Sequence, residues 1–322
     1  MHAIGIDIGG TKIAGGVVDE NGVILTAERV PTPTGHGSAI TDAVVAMIER
    51  LAIGRPVGAA GVAAPGFVDA AQSTIYYTPN IPWRNEPLRQ NLLARLPHLD
   101  ITVDNDANAA GWAEYRFGAG RGLTDMTMLT IGTGVGGAII VDGRLLRGGF
   151  GAAGEIGHLR LVPGGLLCGC GARGCIEQYG SGRALLRFAN ELADAGGVGL
   201  VLAEARREHG ELDGVIVGDL IQAGDPGAIQ ALQRLGRHVG ETCASLSAVL
   251  DPQVFVIGGG VAAAGDLLLD PIRAAYATTL PARGFRPEPM FRTAELVNDA
   301  GVVGAADLAR SHATAAAEPS GR

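Results

Sequence analysis

Two glycine-rich hairpins in this chain repeat each other at a constant offset. The first reads "AIGIDI", "GGTK", "IAGGVVD" and turns at Asn21-Gly22; the second reads "MTMLTI", "GTGVGG", "AIIVD" and turns at Asp142-Gly143. Ile8 falls on Ile131, Gly9 on Gly132, Val18 on Val141 and Asp19 on Asp142. Asn-Gly and Asp-Gly between apolar runs are strong hairpin signals. A repeated hairpin in 322 residues predicts two domains with one copy each, since a chain of this length exceeds what one core usually serves. Glycines at a hairpin mouth either permit a tight turn or leave backbone N–H groups open to phosphate oxygens. A matched pair, the first entered by Asp7, favours phosphate. Neither copy has the strand-to-helix context of a dinucleotide fingerprint or a GxxxxGK[ST] loop.

The remaining segments alternate. Residues 37–52, 85–96, 183–195, 225–251 and 300–310 have helical spacing, whereas 57–66, 100–105 and 252–258 read as buried strands. The class is therefore α/β. A hydrophobic fraction of 47%, few aromatics and 51 glycines fit close-packed layers with many turns. From Ser311 onward a polar, frayed tail is expected.

A net charge of -8 without a basic run argues against a nucleic-acid partner. The absence of a leader-like N-terminus and of a spanning apolar run predicts a cytoplasmic protein with no membrane partner. Among the 25 Lys and Arg residues, only Lys12 is lysine. It sits in the first glycine turn, either because a compact ammonium fits there or by chance.

Two groups of residues carry chemistry. In "VDNDAN", Asp104, Asn105 and Asp106 stand at the carboxyl end of an apolar strand, where open α/β sheets bind ligands. Asp106 is either the cap of the following helix, a catalytic carboxylate, or both. Farther on, Glu155 and His158 in "GEIGH" precede Cys168, Cys170, Cys175 and Glu177. One histidine and three cysteines could complete a closed tetrahedral zinc site, although a redox thiol pair or unremarkable loop cysteines also fit the spacing. Cys243 lies in an apolar helical pattern and reads as a core thiol.

Together "DIGGTK", "GVAAPG", "NDAN", "GTGVGG", "GEIGH", "CGCGARGC", "GGGV" and "VGAADLA" resemble the ROK sugar kinases over nearly the whole chain. "GEIGH" followed by "CGCGARGC" is specific to that family; "TPNIPWRNEPL" and "CIEQYGSGRAL" are most similar to its glucokinases. The resemblance implies two ribonuclease-H-like domains of the actin-like superfamily around a central cleft. One comprises residues 1–118 with 301–322, and the other residues 119–300 with the zinc loop. It also implies phosphorylation of glucose by ATP at the 6-hydroxyl, with Asp106 as base. Asn80, Asn105, Asp106, Glu155, His158 and Glu177 would contact the sugar. His158, Cys168, Cys170 and Cys175 would bind structural Zn²⁺, and Asp7 would hold Mg²⁺ through water. Gly9, Gly10, Thr11 and Lys12 would face the ATP phosphates, as would Gly132, Thr133, Gly134, Gly136 and Gly137; Gly258, Gly259 and Gly260 would face adenosine. A homodimer or homotetramer is expected.

The readings left beside it are another hexose or N-acetylhexosamine kinase, a polyphosphate donor, a sugar-responsive repressor and a silent sugar-binding module. Two positions depart from the usual pattern: Asp104, where a glutamate often stands, and the "APG" at Ala64–Gly66.

Overall fold

A computed structural model describes residues 1–35, 37–78 and 81–317. Asn80 lies outside the described residues. The chain forms two compact units: Met1–Leu123 with Ala138–Gly154 and Glu295–Arg322, and Thr124–Gly137 with Glu155–Ala294.

The first unit starts with β1 (His2–Ile8), β2 (Lys12–Val18), β3 (Ile24–Pro31), α1 (Gly37–Ala52) and β4 (Val57–Ala64). A small antiparallel sheet follows, of β5 (Phe67–Val68), β6 (Ile75–Tyr77) and β7 (Arg84–Glu86). Then come α2 (Leu88–Leu93), β8 (Asp100–Asn105) and α3 (Asp106–Phe117). The chain continues through β9 (Met126–Ile131), β10 (Val135–Val141) and β11 (Arg144–Leu145). Helices α4 (Glu177–Gly180), α5 (Gly182–Ala195), α6 (Leu200–His209), α7 (Gly214–Gln222) and α8 (Pro226–Leu250) lead to β12 (Val254–Gly258), α9 (Asp266–Thr279), β13 (Met290–Thr293) and α10 (Ala300–Ala317).

The main sheets have corresponding orders, β3-β2-β1-β4-β8 and β11-β10-β9-β12-β13. In each, the three hairpin strands come from the sequence repeat, and two further strands add in parallel. The repeat is thus architectural. Both turns form where the Gly signals stood, with Gly22 at φ 80° and Asp142 and Gly143 at φ 49° and 72°.

One face of the first sheet packs Ile4, Ile6, Val62 and Val103 with Val44 and Ile48 of α1. The other packs Ala3, Val18 and Ala59 with Val302, Val303 and Ala306 of α10 and Ala113 of α3. There α10 lies almost on the strands. A Cβ added to Gly61 would come within 1.8 Å of the Ala305 carbonyl oxygen, a backbone atom that cannot rotate away. Gly61→Ala is therefore expected to destabilise the fold by about 3 kcal/mol or more in a denaturant melt. A loss under about 1 kcal/mol would show that α10 can shift off the sheet at little cost. The helix is also pinned at its far end. Buried Arg310 pairs with Asp307, and its guanidinium donates to the carbonyls of Met1, Val18 and Asp19 at 2.8, 3.0 and 2.6 Å.

Two local expectations are corrected. The helix expected over 85–96 is only Leu88–Leu93, because Arg84–Glu86 pair with β6 and Pro87 sits at the helix start. Helix α10 continues past Ser311 to Ala317, and His312 Nδ1 lies 2.8 Å from Asp100 Oδ2, so a side-chain contact ties down the segment read as a tail. Helices α6 and α7, and the small sheet, had no clear sequence signal.

Candidate active site

Strand β8 runs without a break into α3, so Asp106 is the first helical residue and no longer shares a strand face with Asp104. The cap is Asn105, not Asp106. Its Oδ1 accepts from Asn108 N–H at 3.0 Å, and its Nδ2 donates to the Gly66 carbonyl at 3.0 Å. The "APG" turn and "NDAN" are thereby joined. The Asp106 carboxylate accepts from Ala107 N–H at 2.8 Å. Burial, together with the negative charge of Asp7, pushes its pKa up to about 6. Burial also raises the pKa of Asp7, partly offset by Lys12. Two acids disfavouring each other's charge, with a lysine beside one of them, form a site suited to proton transfer and cation binding.

Asp104 is where sequence reading fell short. It is 4% exposed. It accepts from Arg147 Nε and Nη2 at 2.9 and 2.6 Å, from Gln72 Nε2 at 2.9 Å and from Asn108 Nδ2 at 3.1 Å. A buried carboxylate this fully paired holds the end of β8, just before Asn105 and Asp106. Nothing around Arg147 in the sequence announced the partner.

The first glycine turn is Gly9–Thr11; Lys12 begins β2 and is exposed. Gly9 N–H donates to the Lys12 carbonyl at 2.9 Å, and Thr32 Oγ1 donates to the Gly9 carbonyl at 2.7 Å. The second turn is likewise three residues, Gly132–Gly134. Gly136 and Gly137, grouped with the loop on sequence, lie inside strand β10.

Within the second unit, several predicted residues converge behind that second turn. Glu155 precedes a 3-10 turn, Ile156–His158, seated so closely on β10 that a Cβ on Gly157 would reach within 2.0 Å of the Val135 carbonyl oxygen. Glu177 Oε2 accepts from Val135 N–H at 3.3 Å. A Cβ on Gly134 would lie 2.3 Å from Glu177 Oε2, so a side chain there would push that carboxylate out of its present place. At the other glycine run, Gly259 has φ 83° and packs against Ile131, whereas a side chain on Gly260 would meet only open space. Gly259 and Gly260 are both exposed, whereas Gly258 is buried.

The donor atoms of His158, Cys168, Cys170 and Cys175 all lie within 4.8 Å of one another. Cys170 and Cys175 sulfurs are 3.6 Å apart, and His158 Nδ1 is 3.8 Å from Cys168 Sγ. A tetrahedral zinc with Zn–S bonds of about 2.3 Å requires sulfur–sulfur edges of about 3.8 Å, while a disulfide needs about 2.05 Å. The set fits zinc. Cys243 is free, buried in α8, and burial pushes its thiol pKa up, consistent with a core role. Among the described residues no helix is long and apolar enough to cross a membrane.

Known proteins resemble this chain along nearly its whole length. The family model described as "ROK family" matches residues 3–312. A glucokinase of Streptomyces coelicolor (strain ATCC BAA-471 / A3(2) / M145) is 47% identical over 311 residues, covering 95% of this chain and 97% of that protein. An N-acetylmannosamine kinase of Yersinia pseudotuberculosis serotype O:1b (strain IP 31758) is 32% identical, covering 96% and 98%. The crystal structure of a ROK family glucokinase from Streptomyces griseus, in complex with glucose and AMPPNP, superposes with a TM-score of 0.85 at 44% identity, covering 97% of this chain and all of that one. With its motifs, its paired sheets and a match along nearly its whole length, the chain belongs to the ROK family.

Proposed function

We propose that this protein is a glucokinase, transferring the γ-phosphoryl group of MgATP to the 6-hydroxyl of glucose to give glucose 6-phosphate and ADP. The observation that carries this reading is the end-to-end 47% identity to a glucokinase, accompanied by an acid at Asp106 whose pKa of about 6 suits a general base near neutrality.

Asp106 accepts the proton of O6 as that oxygen forms its bond to the γ-phosphorus; the bond from phosphorus to the β,γ-bridging oxygen breaks, and ADP leaves with that electron pair. The preceding residue, Asn105, holds Gly66 and the first turn of α3, and so fixes the backbone from which the carboxylate projects. Gly9 and Gly132 close their turns through their own N–H groups, to the carbonyls of Lys12 and Gly134; the N–H groups of Gly10, Thr11, Thr133 and Gly134, with Lys12, stabilise charge on the phosphates. Asp7 would hold the magnesium of the nucleotide, through water because this ion keeps part of its hydration shell, and the ion would neutralise charge on the phosphates. Gly260 leaves room for adenosine. Asn80, Asn105, Glu155, His158 and Glu177 read the sugar hydroxyls.

His158, Cys168, Cys170 and Cys175 would hold zinc, which supplies a rigid four-point anchor and no chemistry at phosphorus. Ligation through Nδ1 would fix the His158 tautomer, leaving Nε2–H to donate to a hydroxyl. A thiolate-rich metal site also suits a reducing, cytoplasmic setting. A homodimer or homotetramer completes the reading by family resemblance.

The test is a coupled ADP-release assay with MgATP and glucose, mannose, fructose, N-acetylglucosamine or N-acetylmannosamine. Glucose is expected to have the highest kcat/KM, by about ten-fold or more. A preference for an N-acetyl sugar would keep the phosphoryl transfer and discard glucose as the substrate. Turnover with polyphosphate in place of MgATP would discard the donor. No turnover of any sugar would discard the kinase.

A further inference from the structure

The start of α5 grips the second glycine turn from behind. Gly182 N–H donates to the Gly132 carbonyl at 2.7 Å, and Arg183 Nε donates to the Thr133 carbonyl at 3.0 Å. The same guanidinium reaches Glu177: its Nη2 lies 3.3 Å from Oε1. Glu177 in turn accepts from Val135 N–H through Oε2, and its Oε1 lies 3.8 Å from Cys168 Sγ. One arginine thus touches the turn that faces the donor phosphates and the carboxylate that reads the sugar.

We infer that Arg183 is a positioning residue, coupling the phosphate-facing turn Gly132–Gly134 to the sugar-reading Glu177. The inference rests on the glucokinase reading above. Its chemistry follows from the fork. A planar guanidinium offers separate N–H donors in fixed directions, so it can hold a carbonyl and a carboxylate together, whereas an ammonium is a single point charge. The Arg183 side chain is 61% exposed, so the ion pair adds little to folding. Its effect falls on the shape of the turn and the aim of Glu177. Gly134 matches this arrangement, because the turn leaves no Cβ between itself and that carboxylate.

The experiment compares wild type, R183A and R183K as zinc-loaded enzymes, measuring kcat and both Michaelis constants alongside melting temperature and zinc content. In R183A the KM values for MgATP and for glucose are each expected to rise about five-fold, the worth of one hydrogen bond. Melting temperature and zinc content are expected to stay at wild-type values. In R183K the glucose KM recovers, because an ammonium can still pair with Glu177, while the MgATP KM remains raised because the Thr133 carbonyl has lost its donor. The inference is overturned if either KM in R183A stays within about two-fold of wild type, if R183K matches R183A in both constants, or if it matches wild type in both. A fall in melting temperature with unchanged constants also overturns it. Absence of sugar turnover by the wild type would instead fail the functional reading on which the inference stands.

Discussion

Replacing Asp106 with Asn is expected to lower kcat on glucose by about 10³-fold while leaving both substrates bound, because general-base catalysis contributes on the order of 10²–10⁴ and Asn cannot take a proton. The geometry should survive. Asn keeps an oxygen for Ala107 N–H and preserves the start of α3. In the wild type, the low-pH limb of kcat/KM should fall with a midpoint near pH 6, since the active form is the carboxylate and its pKa is pushed up to about 6. The stability effect has the opposite sign. A carboxyl whose pKa rises on folding costs nothing below its unfolded value near 4, and costs most above its folded value near 6. Asp106→Asn should therefore be as stable as wild type at pH 4 and more stable at pH 8, by an amount on the order of 2 kcal/mol. Melts at the two pH values, set beside the rate profile, check both signs. Near-wild-type turnover in the variant would remove Asp106 from the base role, and an unchanged stability difference would remove the burial argument.

The second large effect concerns the metal. Purified protein should contain about one zinc per chain by elemental analysis. Cys175→Ala should lose it and raise the glucose KM by about ten-fold or more, the range found when supports of a metal site are removed. The physical reason lies in the loop. The segment from Leu159 to Cys175 contains no helix or strand and is held by its own loop contacts, the bridges Arg160–Cys175 and Leu167–Arg173 and backbone hydrogen bonds such as Leu161 and Val162 N–H to the Gly174 carbonyl. Without a four-ligand anchor, thiols and imidazole would separate, and Glu177, two residues after Cys175, would lose its bearing. Wild-type glucose affinity in zinc-free protein would overturn this account.

Much of the protein was legible before any tertiary contact. Asn21-Gly22 and Asp142-Gly143 demand positive φ or tight loops, and both hairpins formed there. The duplicated strands fold into sheets of corresponding order, because a repeated pattern of apolar positions selects the same pairing twice. His158 and the three cysteines, drawn from a stretch of fewer than twenty residues, come together as their donor chemistry suggested. These features depend on local geometry or on residue types with few other uses.

Tertiary structure decided what depends on partners distant in sequence. Asp104 looked like a variant of a motif position; folding made it the buried acceptor of Arg147 and Gln72. Gly61 was one residue of a buried strand and Gly134 one of a phosphate-facing group; in the fold one makes room for the Ala305 backbone and the other for the Glu177 carboxylate. Ser311 looked like the start of a tail until His312 met Asp100. Arg183 looked like one more arginine in an arginine-rich chain. Charge and close approach are properties of pairs, and no window along the sequence contains both members.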